Sequence, residues 1–309
     1  MKKLGIVVGI PVHNEGRNIS RLLDIILSEK LTGGNLDKII VVSSGSFDRT
    51  DHIVKVYERK TNGKVILVQE KERKGKYSAL RIIFSMVKDG DVLFLIPGDV
   101  VPFPEAIDRL SLYFFDSGVG AVSGAPVPLD VGKKSIIMNL AGCLWDFHNL
   151  FFSLQKYDSP HLCGELMALR PNLIVTFPPV VNDDAFIAQI VRAKGFRIVF
   201  DEEAKVGIFV PDNVADYLKQ RIRISAGHKQ VLQFGYRPKS LITVGAEKDI
   251  NKFFNAFYGM IKNRKHSLVH IAIFLLLEFF ILFMSVIARP KKHVVWSVAK
   301  STKGLTTNE

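Results

Sequence analysis

The sequence has few cysteines: only Cys143 and Cys163 occur in 309 residues. Two cysteines do not make the disulfide framework of a small secreted protein, and this usage is typical of a reducing compartment. Internal repeats and low-complexity tracts are also absent from the sequence. The basic start at Lys2 and Lys3 is similar to a signal peptide, but the apolar run that follows is broken by Pro11 and has no cleavage site of small residues. We therefore predict that this run is a buried first strand.

Acidic residues are in short supply. The chain has 42 Lys and Arg against 30 Asp and Glu, a formal net charge of +12. Such an excess favours an anionic partner, which can be a nucleotide phosphate, an acidic lipid headgroup or nucleic acid. No nucleic-acid-binding motif occurs, and the basic residues are scattered except near the C-terminus. We therefore expect a nucleotide or a lipid rather than nucleic acid.

Short apolar runs alternate with helix-period segments over the first 200 residues. The runs predict parallel strands covered on both faces, and they lie at residues 6–10, 39–42, 65–68 and 92–96. The helical periodicity predicts helices at residues 18–29, 77–87 and 104–115, with Pro104 in the first turn of the third. This order predicts an open α/β sheet that binds its ligand at the carboxyl ends of the strands. The functional loops are expected after Ile10, Val42 and Ile96.

The chain is predicted to divide into a main domain at residues 1–240 and a C-terminal membrane-associating region at residues 241–309. The apolar segment 267–288 is just long enough to span a bilayer and is interrupted only by His270 and Glu278. Basic residues flank both ends, so the flanks do not fix an orientation. They are Lys262, Arg264, Lys265 and His266 on one side, and Arg289, Lys291, Lys292 and His293 on the other.

Glu278 complicates the interpretation of this segment, because a carboxylate is costly in hydrocarbon. A span within an oligomer, a hairpin and an interfacial helix therefore all stay open. A buried helix of a soluble protein is the alternative. Membrane attachment is the favoured interpretation.

Two adjacent carboxylates, Asp183 and Asp184, stand at the start of an amphipathic helix that ends at Gly195. A carboxylate in this position is held ionised by unpaired backbone N–H groups and by the helix dipole. It can then act as a general base. Asp is also a common helix cap, so the pair alone leaves both interpretations open.

Two further groups of residues are suited to binding a diphosphate. Asp99 directly follows a predicted strand, a position suited to a hard-cation ligand. Arg73, Lys74 and Lys76 lie around Gly75, where they either meet phosphate charge or form a solvated turn. The residues alone do not decide between these two possibilities.

Several short segments occur in a family-specific order over residues 4–235. They are Pro11-Val12-His13-Asn14-Glu15, Gly45-Ser46-Phe47-Asp48-Arg49-Thr50, Asp99, Cys163-Gly164 followed by Arg170, Asp183-Asp184, and Gln220-Arg221-Ile222-Arg223-Ile224. Together they resemble the motifs of the inverting, nucleotide-sugar-dependent glycosyltransferases of family 2, including cellulose- and hyaluronan-synthase-like members. The resemblance implies the GT-A fold, an open mixed sheet flanked by helices, with residues 1–240 as the catalytic domain.

The resemblance also implies roles for these residues. Asp184 is the expected general base and Asp183 a second catalytic residue. The expected nucleotide-binding residues are Pro11, His13, Glu15, Ser44, Asp48, Lys76 and Asp99. The expected diphosphate and acceptor residues are Gln220, Arg223, Cys163, Gly164 and Glu165, with His161 also facing the acceptor. Asp99 is the expected ligand of a Mg²⁺ or Mn²⁺ cofactor.

The sequence departs from the family pattern at three places. Ser43 and Ser44 stand where the family has two acidic residues, so base and ribose recognition are expected to differ. Pro97 replaces the first Asp of the metal motif and leaves Asp99 as its one carboxylate. Ile224 replaces the Trp that would stack on an acceptor sugar, which argues against processive polymerisation.

The expected function is inverting transfer of a sugar from a nucleotide diphosphate to a lipid, lipid-linked or glycan hydroxyl. A UDP-linked donor is the default, and GDP donors also occur in the family. The catalytic domain is expected at a membrane, on the cytoplasmic face, with a homo-oligomer as one possibility. A polyprenyl-phosphate sugar synthase and a non-catalytic nucleotide-sugar-binding protein are the alternatives.

Residues 136–152 are unusually apolar and aromatic for a soluble enzyme. One interpretation is a helix of the hydrophobic core. The other is a membrane-facing surface that admits a lipid-linked acceptor, because Trp145 and the neighbouring phenylalanines suit a bilayer interface.

Overall fold

A mixed eight-stranded sheet forms the centre of the protein. The computed structural model describes residues 3–129, 132, 135–159, 161–235 and 250–287. The strands are β1 Leu4–Val12, β2 Gly34–Ser44, β3 Val65–Glu70, β4 Val92–Leu95, β5 Val101–Pro102, β6 Val119–Pro128, β7 Met167–Leu169 and β8 Arg197–Ile208. Their order in the sheet is β3-β2-β1-β4-β7-β6-β8-β5. The predicted open mixed sheet flanked by helices is confirmed.

Nine α-helices flank or extend this sheet within the described residues. They are α1 Ile19–Ser28, α2 Thr50–Lys60, α3 Lys76–Ser85, α4 Ala106–Leu112, α5 Ile136–Ser153, α6 Asp183–Ala193, α7 Val214–Leu232, α8 Ile250–Lys262 and α9 Leu268–Ile287. Short 3-10 helices lie at Tyr113–Phe115 and Pro171–Leu173. Strands β3, β2, β1 and β4 are parallel, whereas β7 is antiparallel to both β4 and β6.

The parallel strands are buried on both faces, as their apolar runs predict. In β1, Val7 and Val8 have no exposed surface although they point to opposite faces. Val8 contributes to the cluster that contains the apolar face of α1, and Val7 contributes to the cluster beside α3. The first segment of the chain is therefore a buried strand.

Helix α4 begins later than its sequence predicts. Pro104 was expected in the first turn, but the helix starts at Ala106. The reason is Glu105, which takes a left-handed conformation with φ of 66° and so breaks the helical path after Pro104.

Helix α2 has no clear apolar pattern in the sequence, because only Thr50 and Val54 are buried in it.

Helix α5 is a core helix. Its buried residues include Phe147, Phe151 and Phe152, which form a third hydrophobic cluster with Met260 of α8 and Phe274 of α9. The core interpretation of segment 136–152 is therefore confirmed, and the interpretation as an exposed membrane-facing surface is wrong for these aromatic side chains. Helices α8 and α9 cover the surface that α5 would otherwise expose.

Nearly all of the apolar segment predicted at residues 267–288 forms helix α9. Residue 288, the basic residues 289–293 and the domain boundary predicted at residue 240 lie outside the described residues. Among the helices of the described ranges, none is long and apolar enough to cross a membrane. Glu278, the residue that complicated the sequence interpretation, is 7% exposed.

Candidate active site

The N-terminus of α6 is held in place by Asn182, the residue that precedes the helix. The Asn182 side-chain Nδ2 donates to the carbonyl of Ile224 in α7 at 2.9 Å. The Asp184 carboxylate oxygen Oδ1 accepts from the Ala185 N–H at 2.6 Å. Asp183 and Asp184 are thus fixed at the positive end of the helix dipole, next to α7.

Asp183 forms an ion pair with Lys76, the first residue of α3. The Lys76 Nζ lies 2.8 Å from the Asp183 Oδ2, and the side chains are 38% and 8% exposed. Burial acts to lower the pKa of Lys76, but the carboxylates of Asp183, Asp184 and Glu165 outweigh it and the pKa is raised. Lys76 therefore stays protonated and holds Asp183 in one orientation.

Asp184 is the more accessible carboxylate of the pair. It is half-buried, whereas Asp183 is buried. Gly164 packs against it so closely that a Cβ on Gly164 would lie 3.1 Å from the Asp184 Oδ2. Burial raises the pKa of Asp184, while Lys76, the Ala185 N–H and Arg223 act in the opposite direction. A half-buried carboxylate with a raised pKa is suited to accepting a proton.

Asp99 belongs to the same charged cluster. It follows β4 in a loop where Gly98 packs on Val12 and Glu15. Burial raises the pKa of the Asp99 carboxyl, and the positive charges of Lys76 and Arg223 oppose this rise. The loop after the fourth strand therefore brings its carboxylate close to both cations, as its position in the sheet predicts.

Helix α7 presents Arg223 to this cluster. Beyond the bond from Asn182 to Ile224, Gly227 is in close contact with Asn182, and Gln230 accepts from the Val181 N–H at 2.9 Å. Arg223 itself is exposed, and its charge acts on both Asp99 and Asp184. Gln220 lies one turn earlier and is half-buried.

The loops after β1 and β2 are bonded to each other. The His13 Nδ1 lies 2.8 Å from the Ser44 carbonyl oxygen. Asn14 has a left-handed φ of 55°, and its backbone N–H donates to the Ser46 Oγ at 3.0 Å. In return the Asn14 side chain accepts from the Phe47 N–H at 3.0 Å. These hydrogen bonds hold the loop after β1 against the loop after β2, so the two loops form one continuous surface.

Glu15 and Asp48 help to shape these loops. Glu15 is 3% exposed and accepts from the Asn18 Nδ2 at 2.9 Å. Asp48 accepts from the Gly16 and Thr50 N–H groups, both at 2.9 Å. Burial acts to raise the pKa of Asp48, but the hydrogen bond from the Thr50 hydroxyl, together with the two backbone bonds, outweighs it and the pKa is lowered. Their nucleotide-binding roles stay predictions.

A hydrogen bond and a close backbone contact attach the basic segment around Gly75 to the loop after β2. The Ser44 Oγ accepts from the Lys74 N–H at 3.0 Å, and Gly45, with φ of 62°, lies against the Arg73 backbone. Lys76 is the member of this segment that reaches the carboxylates. Pro11, by contrast, lies within β1, opposite Val42 of β2.

The segment from Cys163 to Glu165 lines the other side of Asp184. The Cys163 Sγ donates to the Glu165 Oε2 at 2.9 Å. Burial raises the pKa of the Cys163 thiol well above its ordinary value and also raises the pKa of Glu165. His161 stacks on Phe152, and burial lowers its pKa to about 3. The Cys163 thiol and the His161 imidazole are therefore uncharged at neutral pH. They line the site and do not act as acids or bases there.

Residues 7–173 match the model of Glycosyl transferase family 2. The chain belongs to this family. The matched region contains the loops after β1, β2 and β4 and the Cys163-Gly164 segment. It ends before Asp183, so the assignments of α6 and α7 residues rest on their own geometry.

The family 2 chain is similar to two curated relatives. It is 23% identical over 241 residues to the poly-beta-1,6-N-acetyl-D-glucosamine synthase of Staphylococcus aureus strain COL, an alignment that covers 74% of this chain and 55% of the synthase. The chain thus spans about half the length of that relative. It is also 23% identical over 233 residues to the glycosyltransferase AglE of Haloferax volcanii, with 72% of each protein covered.

The fold of this glycosyltransferase is similar to that of the mannosyltransferase PcManGT from Pyrobaculum calidifontis, solved in complex with GDP-Man and Mn²⁺. The TM-score is 0.59 at 21% sequence identity, and the match covers 91% of this chain and 81% of that chain. At this identity the likeness shows the fold alone. It confirms the predicted GT-A-like architecture.

Asp99 is the carboxylate that the sequence predicts as the ligand of a divalent cation. In the described part of the glycosyltransferase, no group of three or more His, Cys, Asp or Glu side chains is placed to hold a metal ion. Burial nevertheless raises the pKas of Asp99, Asp183 and Asp184 despite the nearby cations. Four carboxylates, those of Asp99, Glu165, Asp183 and Asp184, interact with the two cations Lys76 and Arg223, so the ionised cluster carries more negative than positive charge. A metal ligand role for Asp99 stays a prediction, in which diphosphate oxygens and water would supply the other ligands.

Sequence reasoning missed two features of the site. The sequence predicts no role for Asn182, although it joins α6 to α7. Lys76 was expected on diphosphate, whereas it pairs with Asp183 in the structure. Asn is common just before a helix as a cap, but the Asn182 side chain makes no cap hydrogen bond and bonds to α7 instead. No sequence signal indicates a pairing between residues so far apart in the chain.

Proposed function

We propose that this glycosyltransferase moves a sugar, with inversion, from a nucleotide diphosphate donor to an acceptor hydroxyl. The observation that carries the proposal is the convergence of Asp184, Asp99, Lys76 and Arg223 beside the carboxyl ends of the parallel strands. Two cations suit a diphosphate, and the accessible carboxylate suits an acceptor proton.

In the proposed reaction, Asp184 takes the proton from the acceptor hydroxyl as that oxygen attacks the anomeric carbon. The new carbon–oxygen bond forms on the face opposite the bond to the diphosphate, which breaks in the same displacement. An α-linked donor therefore gives a β-linked product. Asp183, fixed by Lys76 at 2.8 Å, keeps the neighbouring Asp184 in place.

Charge at the leaving diphosphate is offset by Arg223, with Lys76 close by. Preorganised cations at a developing charge are worth several kcal/mol of transition-state stabilisation, because they need no reorganisation during the reaction. Asp99 would hold a Mg²⁺ or Mn²⁺ ion, which, when bound, supplies further positive charge beside the diphosphate oxygens.

We propose that the donor is a UDP-linked sugar. Release of nucleoside diphosphate from a GDP-linked sugar instead would show that this choice of donor is wrong. The acceptor is proposed to be a lipid, lipid-linked or glycan hydroxyl. Helices α8 and α9 support a membrane location, because they expose a set of large apolar side chains and because the end of α8 and the turn after it carry the exposed basic residues Lys262, Arg264 and Lys265. These apolar residues are Phe254, Tyr258, Leu276, Phe279 and Phe283. The proposed location is the cytoplasmic face, as an interfacial attachment.

The experiment is a donor panel. Purified protein is incubated with UDP-, GDP- and TDP-sugars, with Mn²⁺ or EDTA, and with or without vesicles of anionic phospholipid, and released nucleoside diphosphate is measured. We expect metal-dependent release from one donor, its loss in Asp99→Ala, and cosedimentation of the protein with the vesicles. Silence across the panel with nucleotide bound and native lipid extract added would favour a non-catalytic nucleotide-sugar-binding protein. Protein that stays in the supernatant would contradict the membrane attachment.

A further inference from the structure

Helix α9 buries one carboxylate, Glu278, among its apolar residues. The Tyr217 hydroxyl donates to the Glu278 Oε1 at 2.8 Å. Arg221 binds both carboxylate oxygens: its Nε donates to Oε1 at 3.0 Å, and its second nitrogen donates to Oε2. The cost of burying Glu278 is thus offset by a two-point ion pair within the protein.

The two partners of Glu278 lie on one face of α7. Tyr217 and Arg221 are four residues apart, a spacing that places them one above the other on a helix. Arg223 comes two residues later and is therefore rotated by about 200° from Arg221 at 3.6 residues per turn. Its charge acts on Asp99 and Asp184, so α7 points one arginine to α9 and the other to the site.

Helix α7 is held from the side of the site as well. Asn182 donates to the Ile224 carbonyl at 2.9 Å, and Gly227 lies directly against Asn182. These contacts fix the distance between α6 and α7. Gln230, nearer the end of α7, adds two side-chain bonds: it accepts from the Val181 N–H at 2.9 Å and donates to the Pro179 carbonyl at 3.0 Å. The two-point ion pair of Arg221 with Glu278 holds α7 from the opposite side, two residues before Arg223.

We infer that Glu278 is a positioning residue that fixes the rotation of α7, through Arg221, so that Arg223 faces the donor diphosphate. The inference rests on the role proposed above for Arg223. The Arg221 side chain is only 15% exposed. Without Glu278 its buried charge would have no counter-charge, and α7 would turn or shift to bring the guanidinium to water. Arg223 would then leave the diphosphate, although nothing in the site had been changed directly.

The test is a double-mutant cycle on donor turnover with Glu278→Gln and Arg223→Ala. We expect Arg223→Ala to lower kcat/KM by about 100-fold, as for the loss of one charge-stabilising group. Glu278→Gln should lower it by roughly tenfold or more, because its effect passes through Arg223. The double variant should be no slower than Arg223→Ala alone, since residues that act through one another are not additive.

The controls separate positioning from loss of fold. Glu203→Gln removes an exposed glutamate that pairs with Lys205 at 3.8 Å and should leave turnover unchanged. Glu278→Asp keeps the charge with a shorter side chain and should restore part of the activity. If Glu278→Gln does not fold, as judged by its melting transition, Glu278→Asp replaces it in the cycle.

Each outcome has a defined meaning. Additive losses in the double variant would overturn the inference while leaving the proposed function intact, because Glu278 would then act only on stability. A wild-type protein that turns over no donor would contradict the proposed function itself. Full activity of Arg223→Ala would overturn the role of Arg223 and, with it, that of Glu278.

Discussion

Gly164 contributes to the site by the space it leaves beside Asp184. A Cβ at this position would lie 3.1 Å from the Asp184 Oδ2 and 3.4 Å from its Cγ, closer than most real contacts. Asp184 is already bonded to the Ala185 N–H, so it cannot move away without losing that bond. The carboxylate is thus positioned by the absence of a side chain as much as by hydrogen bonds.

Gly164→Ala should therefore displace Asp184 by a few tenths of an ångström and lower kcat, by less than the ~100-fold expected for a 1 Å misplacement. Binding of the nucleoside diphosphate, measured by calorimetry, should change little. The matched control is Gly259→Ala in α8, where a Cβ would meet Leu150 at 3.7 Å, an ordinary contact. Equal activity of the two variants would show that Asp184 tolerates the crowding and would contradict its proposed role.

The sequence predicted Asp99 and Asp184 because each stands directly at the end of a strand or the start of a helix. Their positions follow from the local pattern, whereas the assignment of Asp184 as the general base rests on the family resemblance and stays a prediction. The ion pair of Lys76 with Asp183 and that of Arg221 with Glu278 could not be predicted in this way. Both depend on how elements distant in the sequence dock against each other, and no periodicity carries that information.

At the level of elements, helices α8 and α9 are attached to α5 by charge as well as by packing. The His266 Nε2 lies 2.9 Å from the Asp146 Oδ2, and Lys265 lies 3.5 Å from Asp146. The hydrogen bond to Asp146, with Cys143 also contributing, raises the pKa of His266 to about 9. The attachment therefore depends on a protonated histidine.

Because the folded pKa of His266 lies above its ordinary value of 6.5, its stabilisation is complete below pH 6.5 and is lost as the pH rises through about 9. The loss is at most roughly 3 kcal/mol, at 1.36 kcal/mol per pKa unit. We expect the free energy of urea unfolding to fall between pH 6 and pH 9.5, and His266→Gln to flatten this dependence. His270→Gln, beside Ser267, is the control. An unchanged slope in His266→Gln would contradict the assignment.

The elements themselves were predicted unevenly. The four parallel strands were found because burial on both faces makes each an unbroken apolar run. Helix α2 was missed because its exposed face dominates its composition, with only Thr50 and Val54 buried. The start of α4 was misplaced because the left-handed Glu105 is a local conformation that composition does not reveal. Segment 136–152 stayed ambiguous, since only tertiary packing shows that α8 and α9 cover it.

At the level of the whole molecule, α9 connects the outer surface with α7, the helix that carries Arg223. Its inward side carries Glu278, which binds α7, and its outward side exposes Leu276 and Phe279, each at 72%. The net charge of +12 suits both an anionic donor and an anionic lipid surface. The same helix would therefore join the proposed attachment to lipid with the arginine proposed to bind the diphosphate.

The central claim is that Asp184 removes the acceptor proton at this site. The measurement that tests it most directly compares Asp184→Asn with the wild type in sugar transfer and in nucleotide binding by calorimetry. Loss of a general base lowers the rate by about 10²–10⁴, so we expect transfer to fall by that factor while the dissociation constant of the nucleotide stays within a few fold. Asp158→Asn, an exposed aspartate paired with Arg192, is the control.

Two results would contradict this account. Asp184→Asn protein that loses nucleotide binding and transfer equally would show that Asp184 is a structural helix cap. Asp184→Asn protein that still transfers sugar to a phosphate acceptor would identify a polyprenyl-phosphate sugar synthase, whose acceptor needs no base. We expect instead that Asp184→Asn protein binds its nucleotide normally and no longer transfers the sugar.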